Sequence, residues 1–253
     1  MFGLGKIRLP LKGERREWID AGFVRLADLV GAKRLREAVV ALPTPEHFPE
    51  RYDEDERGLQ NILRRVADGL GLDAGEIDVE LFARGDKLAH SMVPFGWSST
   101  SGAAGLYHHE PKKRQHIALD EALLKDPMAL VAVLAHELGH MILLRPGLVK
   151  RDEADMEPLT DLLTVFLEFG IFTANSAFRF KQYTDYQRQG WVAGRIGYLS
   201  EEEFGYALAR FAFERGEKKL EWRKHLSTNV AGYMKRSLAW LEKQGEGQLL
   251  GLG

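Results

Sequence analysis

Between Met128 and Leu144 apolar residues fall on every side of the chain, with no wet face at helical or strand periodicity. A helix that is apolar all round belongs in the interior of a domain. Asp126 is placed to cap such a helix, Pro127 suits its first position, and Arg145, Pro146 and Gly147 mark its end. Elsewhere the stripes are narrower. Glu14 to Leu42 has helical spacing in Trp18, Phe23, Leu26, Leu29, Val30, Leu35 and Val39, with a break at Gly31. The stretch from Leu42 to Glu56 contains three prolines and no period, which reads as a surface loop. Helical spacing returns from Glu54 to Leu70, with Leu59, Ile62, Leu63 and Val66 on one side.

The pattern then shortens to strands. Ile77 to Phe82 alternates in part, while Gly105–His109 and Gln115–Leu119 flank a polar turn at Glu110–Arg114. Together they predict a short antiparallel sheet directly before the apolar helix. Pro94–Gly105, rich in Ser, Thr and Gly, is either a flap over a site or an ordinary loop. Glu168 and Asn175 interrupt the apolar run Leu162–Phe178, so it reads as a buried core helix rather than a membrane span. Ser200 and Glu203 form a capping box that opens a helix reaching about Arg215. Leu220–Gln244 has the spacing of one more helix, and the glycine-rich end has little reason to order. The expected fold is a mostly helical α+β single domain over residues 1–253. It comprises a helical part at 1–75, a core at 76–180, C-terminal helices at 181–245 and a tail at 246–253.

Composition narrows the function. Apolar residues make up 45% and charged residues 28% of 253, ordinary for a soluble globular protein. A formal charge of −2 gives no general attraction to nucleic acid or an anionic membrane. Lys112, Lys113 and Arg114 are a solvated turn, too short for a nucleic-acid footprint. Zero cysteines removes thiolate ligands, disulfides and cysteine catalysis. The first residues lack the apolar core of a signal peptide. A cytoplasmic protein with neither a nucleic-acid nor a membrane partner is expected.

The apolar helix carries three groups that are costly to bury without partners: His136, Glu137 and His140. Residues i and i+4 share a helical face, so both imidazoles can reach one ion. Glu137 lies beside the first ligand, off the ligand row, where it can act as general base. This is the HExxH arrangement. A third ligand is expected after the helix, where Asp152, Glu153, Asp155, Glu157 and Asp161 precede the next apolar stretch. Glu157 and Asp161 are again an i, i+4 pair. Glu157 would complete a His-His-Glu set with a fourth position left for water, and Asp161 could fix the tautomer of a metal histidine. Glu153 is the fallback ligand. The plain alternative is that these acids only decorate a helix N-terminus. His47 and His225 read as surface residues. His108, His109 and His116 are each either structural or an oxyanion donor, and adjacent His108 and His109 point to opposite faces.

HELGH at His136–His140 followed by Glu157-Pro-Leu-Thr-Asp161 resembles the gluzincin metallopeptidases, whose HExxH is followed on a second helix by a ligand glutamate and a supporting aspartate. The resemblance implies a zincin-like fold and a zinc ion held by His136, His140 and Glu157. It further implies Glu137 as general base and Asp161 as supporting acid. The strand His116–Leu119 would be similar to the zincin edge strand that pairs with extended substrate. The match spans roughly 60 central residues. The metzincin third histidine is absent. So is the tyrosine that thermolysin-like members place between the second histidine and the glutamate, for Met141–Met156 holds neither tyrosine nor histidine. Tyr107, His116, Tyr183 and Tyr186 remain open as substitutes. The implied function is a zinc-dependent hydrolase, a metallopeptidase acting on a peptide or protein substrate. The alternatives are a non-catalytic structural or regulatory zinc protein, and a helical interaction protein with an accidental motif.

Overall fold

The computed structural model describes residues 9–83, 105–108, 114–144, 147–150, 152–185, 199–244 and 247–251. Helices dominate, and one three-stranded sheet makes the fold α+β. Helix α1 (Gly13–Leu26) runs through a π-helical turn (Ala27–Gly31) into α2 (Ala32–Glu37). The break falls at Gly31, whose φ of +93° suits glycine. Helix α3 (Glu56–Leu70) is capped by Asp55, whose side chain accepts the Gly58 N–H, and it closes at left-handed Gly71. Leu59, Ile62, Leu63 and Val66 are buried, as their spacing implies.

The sheet departs from the expected antiparallel form. Strand β1 (Ile77–Phe82) lies parallel to β3 (Gln115–Asp120), and only β2 (Gly105–His108) is antiparallel to β3. The order is β1-β3-β2, so His116–Leu119 lies in the central strand and offers no free edge. Strand β2, antiparallel to β3, carries the chain back across the sheet, so that β3 can run parallel to β1. Burial agrees: Gln115, Ile117, Leu119 and Asp120 of β3 are all buried, as befits a strand paired on both sides.

The chain divides into two compact units. One comprises Pro43–Thr160 and Phe178–Tyr198 and holds α3, the sheet and α4 (Pro127–Leu144). Asp126 Oδ1 accepts the Ala129 N–H at 3.1 Å, capping α4 as expected. The helix is long and apolar enough to cross a bilayer, but Ala129–Met141 is buried without interruption and α4 packs on α3 and β2. Arg145 and Pro146 lie outside the described residues. Gly147, at φ +70°, donates its N–H to Leu144 O at 3.0 Å just past the helix end.

The other unit comprises Met1–Leu42, Asp161–Ala177 and Leu199–Gly253. The apolar run at 162–178 is divided between α5 (Met156–Phe166) and α6 (Gly170–Asp185) rather than forming one helix. Phe169 N–H reaches back to Thr164 O at 2.9 Å, with Glu168 at φ +109°, closing α5 in a Schellman-type turn. Helix α7 (Glu201–Glu214) begins with the expected capping box. It approaches α8 (Thr228–Gln244) so closely that a Cβ at Gly205 would collide with the Tyr233 Cβ. The expected helix over Leu220–Gln244 is also interrupted. A 3₁₀ turn spans Glu221–His225, and the Asn175 amide bridges the break, donating to His225 O and accepting from Ser227 N. The C-terminal segment is tied down at Glu214, whose carboxylate accepts the Leu249 and Leu250 N–H groups at 3.0 Å each.

Candidate metal centre

Helix α4 delivers His136 and His140 one turn apart, and the first turn of α5 delivers Glu157. The two imidazole rings stand nearly perpendicular, with centroids 4.7 Å apart. Their Nε2 atoms converge to 3.1 Å. Glu157 Oε2 lies 3.0 Å from His136 Nε2 and 3.4 Å from His140 Nε2. A zinc ion with bonds of about 2.0–2.1 Å holds tetrahedral ligands roughly 3.3 Å apart, so the three atoms are spaced to share one ion. Their chemistry agrees, since two imidazoles and a carboxylate suit zinc and similar first-row metals.

Burial is uneven across the set. His136, Glu137 and His140 are 5%, 6% and 8% exposed, while the Glu157 side chain keeps 46% of its surface. The centre therefore meets solvent on the Glu157 side. Burial pushes the Glu157 carboxyl up, but hydrogen bonds and attraction from His136 and His140 outweigh it and hold the group well below the usual carboxylate range.

Three of the residues singled out by spacing are thus brought together as a donor group. Among the described residues no fourth side chain joins it. Glu153 Oε1 accepts the Lys150 N–H, and His116 faces Glu80 at 3.5 Å across the parallel strands. Asp161 Oδ2 accepts the Leu199 N–H at 2.9 Å. Tyr186, His109 and the stretch 94–104 lie outside the described residues, as do the side chains of Tyr107, His108 and Tyr183.

Sequence reasoning missed Thr160. It is fully buried, and its Oγ1 lies 3.2 Å from His140 Nδ1, the ring nitrogen turned away from the site. The signal was present in its spacing, three residues after Glu157, which puts both on one face of α5. A threonine there is simply less conspicuous than the aspartate beside it.

Comparison of the chain with protein-family models, with curated proteins and with solved structures returned no match.

Proposed function

We propose that this protein is a zinc-dependent hydrolase that cleaves peptide bonds in a peptide or protein substrate, on a zincin-like scaffold. The observation that carries the reading is the triangle of His136 Nε2, His140 Nε2 and Glu157 Oε2, with sides of 3.0–3.4 Å. These three residues would hold the metal. Bound zinc supplies Lewis acidity, lowering the pKa of a coordinated water towards about 7 and polarising the scissile carbonyl.

The remaining steps belong to the chain. Glu137, next to the first ligand and buried with it, takes a proton from the attacking water and passes it to the leaving amine. Water's O–H and the substrate's C–N bond break, and a C–O and an N–H bond form. Asp161 would be the supporting acid in this reading. The partial exposure of Glu157 gives substrate a way in.

Glu137→Gln tests the mechanism: it should retain zinc and lose at least about 10²-fold in hydrolysis. Unchanged hydrolysis with zinc retained would contradict it. A second reading, zinc held for structure or partner binding, draws on the missing tyrosine between Met141 and Met156. It requires a fourth protein ligand to close the site. Its two candidates, His116 and Glu153, are engaged with Glu80 and the Lys150 N–H.

A further inference from the structure

Resting on that reading, we infer that Thr160 is a positioning residue that fixes His140 in the tautomer able to bind metal. A neutral imidazole has one protonated and one bare nitrogen, and only the bare one can be a ligand. His140 points Nε2 at His136 and Glu157 and Nδ1 at Thr160 Oγ1, 3.2 Å away. The position of the His140 proton is therefore coupled to where the single Thr160 hydroxyl proton goes.

Two strong acceptors compete for that proton, with Met156 Sδ a weak third at 3.8 Å. Met156 O, one helical turn back, lies 2.8 Å from Thr160 Oγ1, nearer than His140 Nδ1. A back-bond to the i−4 carbonyl also suits a threonine inside a helix, whose β-branched side chain has few rotamers. With its proton committed to Met156 O, Oγ1 can only accept. His140 must then carry its hydrogen on Nδ1, which leaves the Nε2 lone pair facing the site. Were the hydroxyl to donate to Nδ1 instead, the hydrogen would sit on Nε2 and block it. Full burial removes the water that would otherwise let the ring choose. One turn of α5 thus provides both a ligand, Glu157, and the group that prepares another ligand for binding.

The test compares Thr160→Val, which keeps the shape and removes the hydroxyl, with Thr160→Ser, which keeps the hydroxyl. The readout is zinc affinity by competition with a chromophoric chelator, with thermal unfolding of the metal-free proteins as a folding control. The valine variant should bind zinc about 10–100-fold more weakly and the serine variant within about 3-fold of wild type. Equal affinity in all three would overturn the inference while leaving the metal site intact. Failure of wild type to bind zinc would instead remove the proposed function beneath it. The second measurement needs no variant: long-range ¹H–¹⁵N spectra of the metal-free wild type, with His140 neutral, should place its proton on Nδ1. A proton on Nε2 would overturn the inference even if the valine variant did not fold.

Discussion

The Nε2 atoms of His136 and His140 stand 3.1 Å apart, with one carboxylate oxygen of Glu157 within 3.4 Å of both. In the metal-binding form both Nε2 lone pairs face one point, and they repel unless a cation lies between them. Zinc should therefore stabilise the fold measurably. At 100 times its dissociation constant it should add about 2.7 kcal/mol to unfolding, reversed by a chelator. His140→Ala should abolish the increment. An unfolding curve indifferent to zinc would count against the site.

Binding should weaken as pH falls, because both imidazoles must be neutral to coordinate. Zinc release into acid should take up at most one proton per imidazole, two in all. Glu157 should add no third, since, against the upward push of burial, hydrogen bonds from His136 and His140 hold its carboxyl below the usual range. A carboxyl lowered in this way stays ionised until the solution is more acidic than its ordinary pKa. Affinity measured between pH 5 and 8 gives the proton count.

Much of this site is legible in the sequence because its determinants are local. The capping of α4 by Asp126 and the HExxH face depend on residues three or four apart. Glu157 needed only the expectation of a returning helix. What stayed hidden was set from far away. The place of β1 beside β3 joins residues 38 apart in sequence, such as Ile77 and Gln115, and no local pattern marks that pairing. The break before α8 is held by Asn175, 50 residues earlier in sequence than His225. Thr160 acquires its role only through contact with His140, and no spacing rule favours threonine over Asp161.

Glu168 holds a conformation normally left to glycine, at φ +109°. A left-handed backbone costs an L-residue about 1–2 kcal/mol, and glycine's greater chain entropy returns about half of that. Glu168→Gly should gain a net 0.5–1 kcal/mol, roughly, in urea unfolding. Part is offset by lost attraction to Arg34. A destabilised variant would show that the glutamate side chain matters more than the strain.

Glu214 is fully buried, with Arg210 Nη1 at 3.5 Å and the backbone of Leu249 and Leu250 on its two oxygens. Arg210 is buried too, and it donates from Nε to Asp20 Oδ1 and from Nη2 to the Tyr206 hydroxyl. Removing one partner of a buried charge pair typically costs about 3–5 kcal/mol, so Glu214→Ala should lose that much. It should also expose residues 247–251 to carboxypeptidase. A tail as resistant as in wild type would contradict the strap.

The most direct measurement of the central claim is metal content by elemental analysis, on wild type and Glu157→Ala purified side by side. Wild type should carry near one zinc per chain, and the variant should lose most of it. No zinc in wild type, or full zinc in the variant, would contradict it.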